Sequence, residues 1–192
     1  MSKLISDDYL TQQLQLHANP NYGSMSIKRA EEVAQLAGYL NATKILDYGA
    51  GKQKLLPGLK EAGFEGWYSA YDPAVLQIRN MPKGAHDLLV CIDVLEHIEP
   101  DLLDNVLDHM KEHTTRFAYI TVATGPAKKT LPDGRNAHLI QCPWEWWEEH
   151  LEKRWNVQKV TFEESGSYRG FKCWCTDKGI PKEFISVPNQ EI

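Results

Sequence analysis

The run "HDLLVCIDV", residues 86–94, is almost unbroken in apolar character. A strand with one face in water alternates apolar and polar residues, so a continuous run belongs to a strand buried on both faces, and such a sheet needs helices on each side. The flanking sequence supplies them. Between Ser24 and Asn41, residues Ile27, Ala30, Val33, Ala34, Ala37 and Leu40 recur at helical spacing. Pro100 opens a second helix, where its missing N–H costs little, and Leu102, Leu103, Val106, Leu107 and Met110 form one apolar face. Further strands are predicted at 44–48, 66–72 and 116–124, and the segments 156–162 and 167–176 form an antiparallel hairpin around "EESG". This alternation predicts an α/β, doubly wound, mainly parallel sheet with helices on both faces and an antiparallel C-terminal hairpin. The 192 residues are expected to form one domain, with 1–24 as a segment covering the site and 177–192 as a loose tail.

Charge and composition narrow the function. With 21 basic and 26 acidic side chains the formal charge is −5, and no basic stripe of the kind that grips duplex DNA is present. An RNA end stays open as a partner. No apolar run approaches the roughly 20 residues of a membrane span, and "MSKLISDDYLTQ" has no signal-peptide core. Cys91, Cys142, Cys173 and Cys175 are scattered through apolar or strand-like contexts, which predicts reduced thiols and a cytoplasmic location.

The stretch "KILDYGAGKQKLLPG", 44–58, carries a strand into a glycine turn. Glycine lets backbone approach a ligand closely, and a G-x-G turn after a strand commonly cradles part of a nucleotide. The dinucleotide fingerprint would require glycine at Lys54, and the shorter form at Gln53. Acidic residues stand at three strand ends: Asp47, Asp72 and Asp93. Asp72 follows Gly51 by roughly the 20 residues at which a carboxylate accepts ribose hydroxyls. A pyrophosphate is repelled by an acidic turn, whereas a ligand carrying an ammonium and a sulfonium gains from Asp47. That favours S-adenosyl-L-methionine over NAD.

Three segments, "ILDYGAGKQ", "YDPA" and "DLLVCIDVLEHIEP", resemble successive signatures of class I S-adenosylmethionine-dependent methyltransferases. The "DVLEHI" wording is similar to a subset that methylates small molecules, including ubiquinone-pathway O-methyltransferases. The resemblance spans about residues 25–176 and implies a seven-stranded, Rossmann-like sheet. It implies that Asp47, Gly49 and Gly51 border the methionine part of the cofactor, that Asp72 holds the ribose, and that Asp93 lines the methyl and the acceptor. Tyr22 and Gly23 would close over the cofactor. One departure is the interval of about fourteen residues between Asp72 and the buried strand, where the family places another strand and an adenine-contacting acid.

The expected reaction is methyl transfer to an oxygen or nitrogen of a small-molecule acceptor, with His97 or His138 as proton acceptor if the acceptor is a hydroxyl. Asp93, Glu96, His97 and His138 also resemble the residues with which terminal 2′-O-methyltransferases of small RNAs hold a divalent metal, Asp93 standing for one glutamate. A metal-assisted RNA methyltransferase, a non-catalytic nucleoside-binding or scaffold protein of the same fold, and an NAD-dependent enzyme are the alternatives. His17, His86, His109 and His113 are expected on the surface. Trp144, Trp147 and Trp155 share a face with Leu151 and are expected in the core, leaving Trp146 as a candidate ligand contact. Lys128, Lys129 and Arg135, in the long loop 125–143, are candidates for an anionic group on the acceptor.

Overall fold

Six strands form one sheet: β1 (Lys44–Tyr48), β2 (Trp67–Tyr71), β3 (His86–Ile92), β4 (Thr114–Ala123), β5 (Trp155–Ser165) and β6 (Tyr168–Asp177). Their order is β2-β1-β3-β4-β6-β5. The computed structural model describes residues 2–19, 25–165 and 168–180. Strands β1 to β4 run parallel, with Asp47 of β1 level with Ala70 of β2 and Val90 of β3. Strand β6 is inserted antiparallel between β4 and β5. The doubly wound, mainly parallel architecture with a C-terminal hairpin is therefore the observed one. The described residues supply six of the seven strands that the resemblance implies. Residues 73–85 carry only a 3-10 turn, Leu76–Ile78; a further parallel strand there would need two crossovers of about a dozen residues each, and the segment has room for one at most.

The alternation inside β3 explains its unbroken apolar run. Leu88, Val90 and Ile92 pack against α2 (Ala30–Tyr39) and α3 (Leu55–Glu61), while Leu89 and Cys91 pack against α4 (Leu103–Glu112) and α5 (Trp144–Leu151). Of the tryptophans, Trp147 and Trp155 are buried and Trp144 packs partly buried against the same cluster. All four cysteines are free.

A further helix, α1 (Asp7–His17), was not expected from the sequence. Its signals are local: the Ser6 hydroxyl accepts from the Tyr9 N–H at 3.2 Å, and Asp7 and Asp8 occupy the first turn, where a carboxylate favours the helix dipole. Only Tyr9 and Gln13 of this helix are buried, so hydrophobic periodicity was weak. Tyr9 joins Leu131 and Ala137 in a small apolar cluster separate from the two faces of the sheet. The start of the C-terminal tail is held rather than loose, with Lys111 paired to Asp177 and Ile180 packed on the α2 face. Tyr22, Gly23 and residues 181–192 lie outside the described residues.

Candidate active site

From β1 the chain proceeds to β2 on one side of the sheet and then to β3 on the other, which places the topological switch point at the carboxyl ends of β1 and β3. Ligands of open α/β sheets bind there. A cavity of about 700 Å³ opens at that end, with Gly49, Gly51, Asp72 and Asp93 on its floor and Tyr9, Gln13 and His17 of α1 on its wall.

The glycine turn departs from the sheet in left-handed backbone, with φ of 76° at Gly49 and 48° at Gly51. The N–H groups of Gly49 and Ala50 both donate to the Tyr71 carbonyl, at 2.8 and 3.1 Å, which pins the turn to the end of β2. A Cβ on Gly49 would lie 2.5 Å from a Val94 methyl, so the turn also depends on close packing against the segment after β3. Gln53, where one form of the fingerprint has glycine, keeps the left-handed conformation at φ 53°. Asp72 is 7 % exposed, and its two oxygens accept from the N–H groups of Gly51, at 3.0 Å, and Ala74, at 2.9 Å. Each oxygen retains a second lone pair for a ligand hydroxyl.

Asp47 is placed differently. It is 2 % exposed and lies beneath the turn instead of lining the cavity, with its carboxylate accepting from the Tyr68 hydroxyl at 2.6 Å. Burial raises its pKa to about 7, opposed by the Tyr68 hydrogen bond and assisted by the negative charge of Asp72.

At the far end of the cavity the acidic and histidine side chains divide into two groups. Asp93 has φ 51°, a conformation that costs a non-glycine residue about 1–3 kcal/mol, and it is held by Thr121. The Thr121 hydroxyl donates to Asp93 Oδ1 at 2.7 Å and accepts from the Asp93 N–H at 3.0 Å. Glu96, His97 and His138 form the second group, each offering one ligand atom within 4.8 Å of the others; Asp93 is not part of it. Glu96 is wholly buried: Oε1 accepts from the Ala123 N–H at 2.9 Å, and Oε2 has no hydrogen-bond partner. Burial, with Asp93 nearby, holds its carboxyl well above the usual range. His97 Nδ1 meets the Ala137 carbonyl at 2.7 Å and His138 Nδ1 the Gly125 carbonyl at 2.6 Å. A carbonyl only accepts, so both Nδ1 atoms carry protons, and in each ring Nε2 is the nitrogen left to carry a lone pair when the imidazole is neutral. The two rings sit edge to face with centroids 4.8 Å apart. Burial and the adjacent His138 push His97 down to about 4, which makes it a neutral imidazole and a weak proton acceptor.

Several expectations are corrected here. His17 lines the cavity, and burial lowers its pKa. His86 is buried, and His109 is half-buried with Nδ1 2.9 Å from the Tyr48 hydroxyl. Trp146 is not on the cavity wall; it stacks on His150 with centroids 4.0 Å apart. Lys128 and Lys129 reach the cavity wall, whereas Arg135 is occupied by Asp133 and lies off it. Tyr9, Gln13, Ser165 and Tyr168 line the cavity without having been anticipated. The N-capping signal at Ser6 could have exposed the first two, and nothing local marked the others.

The sheet order, the glycine turn at the switch point and the cavity above it define a class I S-adenosylmethionine-dependent methyltransferase. The chain belongs to the family described as "Methyltransferase domain", whose model matches residues 21–176. Among solved structures it is similar to 1,6-didemethyltoxoflavin-N1-methyltransferase of Burkholderia thailandensis, solved with S-adenosylhomocysteine. That match has a TM-score of 0.66 and 12% identity and covers 92% of each chain. The magnesium protoporphyrin IX methyltransferase of Synechocystis PCC 6803 with bound S-adenosylmethionine aligns at TM-score 0.57 and 14% identity, over 90% of this chain and 86% of that one. The N-methyltransferase NodS of Bradyrhizobium japonicum WM9 aligns at TM-score 0.55 and 12% identity, over 90% and 100%. At these identities the likeness is one of fold. No curated protein matches the chain by sequence. Among the described residues no helix is long and apolar enough to cross a membrane.

Proposed function

We propose that the enzyme transfers the methyl group of S-adenosylmethionine to an oxygen or nitrogen of a small-molecule acceptor. One observation carries this reading: a single cavity is lined both by the glycine turn and Asp72 and by His97 and His138. Gly49 and Gly51 leave room for the methionine end of the cofactor, and Asp72 takes the ribose hydroxyls. The acceptor then lies between the sulfonium and the histidine pair. As its O–H or N–H proton leaves toward an imidazole Nε2 or solvent, the O–C or N–C bond forms while the S–C bond breaks, giving S-adenosylhomocysteine. The sulfonium is already a good leaving group, so in-line positioning in a water-poor cleft supplies most of the acceleration. Two named neighbours of the same fold, the toxoflavin N1-methyltransferase and the protoporphyrin methyltransferase, act on small molecules.

The test incubates the protein and cofactor with fractionated cell extract and follows S-adenosylhomocysteine release, with mass spectrometry identifying the compound in which CH₃ replaces H. Cofactor binding by calorimetry without turnover on any fraction would point to the non-catalytic scaffold, and stabilisation by NAD alone would overturn the reading.

A second reading, in which a divalent cation assists transfer to an oxygen, is favoured by the unpartnered Glu96 Oε2 and by Glu96, His97 and His138 each offering one ligand atom within 4.8 Å of the others. These three residues would hold the ion, which when bound would acidify an acceptor hydroxyl. Two imidazoles and one carboxylate suit manganese, cobalt or zinc better than magnesium. The fourth expected ligand, Asp93, is tied to Thr121 and does not join. Calorimetric titration with manganese should give one site that is lost in His138→Asn, which keeps the donor to Gly125. Equal binding by that variant would remove this reading. The negative net charge favours a small hydroxyl acceptor over an RNA end.

A further inference from the structure

We propose that Tyr9 is a positioning residue for the histidine pair, so that α1 sets the geometry of the acceptor end of the site as well as covering it. The inference rests on the methyltransferase reading only for its consequence; the geometry stands by itself. The Tyr9 hydroxyl donates to the His97 carbonyl at 2.6 Å and accepts from the Gln13 amide at 2.6 Å, and the residue is 3 % exposed. His97 in turn donates from Nδ1 to the carbonyl of Ala137, which packs with Tyr9 and Leu131 in one apolar cluster. Tyr9 is therefore linked to both residues of the His97–Ala137 hydrogen bond: its hydroxyl holds the histidine main chain and its ring shares an apolar cluster with the residue that orients the imidazole.

A purely apolar helix face would dock on Leu131 and Ala137 in several registers. The buried hydroxyl allows one, because an unmet carbonyl and an unmet amide in that cluster are costly. The surrounding bonds are consistent with that role. Ser6 N–H donates to Glu99 at 2.8 Å, two residues beyond His97, and Ile140 N–H donates to the Glu96 carbonyl at 3.0 Å, joining the two histidine-bearing segments. Lys52 of the glycine turn donates to the His17 carbonyl at the end of α1. One helix is thereby attached to the turn, to the segment after β3 and to the long loop. His138 is anchored differently, to the Gly125 carbonyl.

That difference supplies an internal control. Nitrogen-15 spectra of the full chain, selectively labelled at histidine, should show His97 with a protonated Nδ1 and an unprotonated Nε2. In Tyr9→Phe the two His97 resonances should move toward their average as the ring loses its single orientation, while His138 keeps its pattern. The dissociation constant for S-adenosylmethionine should stay within about twofold, because the turn and Asp72 are untouched. Gln12→Ala, which removes the surface bond from the same helix to Asp133, should leave the His97 pattern intact. Unchanged His97 resonances in a folded Tyr9→Phe protein would overturn the proposal, as would equal changes at His97 and His138. Should Tyr9→Phe fold poorly, Gln13→Met loosens the hydroxyl from its other side; a His97 pattern identical to the parent's would be equally decisive against it. None of these readouts needs an acceptor, so failure here and failure of the methyltransferase reading are separable.

Discussion

Replacing Asp47 by Asn tests whether the acid beneath the glycine turn is held neutral in the empty protein. The carboxyl is buried and its pKa is raised from 3.8 to about 7. Below pH 3.8 both folded and unfolded chains carry the proton. Between that pH and about 7 the folded chain keeps it and the unfolded chain loses it, so this group's contribution to stability falls by about 1.4 kcal/mol for each pH unit. Above pH 7 the fall is complete, at about 4 kcal/mol. Asparagine copies the protonated carboxyl and still accepts from the Tyr68 hydroxyl. The variant should therefore match the parent near pH 4 and exceed it by up to about 4 kcal/mol at pH 8, or roughly 10 °C in Tm for a chain of this size. Urea melts at pH 5, 6, 7 and 8 measure the gap directly. A gap that does not widen with pH would show that Asp47 is ionised normally in the folded protein. The same argument gives a second readout: S-adenosylmethionine brings positive charge to the turn and lowers the pKa of Asp47, so binding near pH 7 should release protons in the parent and none in Asp47→Asn. Calorimetry in buffers of different ionisation enthalpy reads that number, and equal release by the two proteins would remove Asp47 from the linkage.

Gly49→Ala places a Cβ 2.5 Å from a Val94 methyl at φ 76°, combining overpacking with left-handed strain. It should cost about 2–5 kcal/mol and abolish cofactor binding, and a thermal melt within 2 °C of the parent, allowing about 2–4 °C per kcal/mol, would contradict the packing. Gln53→Gly should stabilise by up to about 1 kcal/mol, since glycine adopts φ 53° without strain; a loss of stability would mean that the Gln53 side chain is needed. Asp72→Ala should weaken S-adenosylmethionine binding about 10- to 100-fold, the worth of hydrogen bonds to a carboxylate. Unchanged affinity by calorimetry would end its ribose role.

The sheet was legible because β3 declares itself: five successive residues, Leu88 to Ile92, buried on alternating faces by two different helix layers leave no room for polar alternation. The glycine turn and Asp72 were legible because backbone that must approach a ligand restricts residue type, and because the spacing to a strand-end acid is fixed by one βαβ unit. Asp47 was misplaced for a related reason. Sequence locates the end of a strand but not whether the last inward side chain meets the ligand or the layer below it, and here Tyr68 on the neighbouring strand captures it. No local pattern brings His97 and His138 together, because their pairing depends on the path of a long loop; only the resemblance to RNA-end methyltransferases grouped them, with Glu96, in advance. Their shared orientation comes from two backbone carbonyls, and those have no sequence signature at all.

The two ends of the cavity are built differently. Beyond Asp72 the segment 73–85 is too short for a further strand with both its crossovers, and its only regular structure is one 3-10 turn. At the histidine end α1, the long loop and an apolar cluster between them are fastened by Tyr9, Ser6 and Ile140 to the segment bearing Glu96 and His97. On the proposed reading, recognition of the cofactor would be concentrated on the turn and Asp72, where backbone geometry does the holding. Discrimination among acceptors would then fall to α1 and the loop, whose cluster is small and whose register depends on buried hydrogen bonds. On that reading a substitution there should alter which acceptor is methylated before it alters cofactor affinity, except where it breaks the hydrogen bond from Lys52 to the His17 carbonyl that ties α1 to the glycine turn.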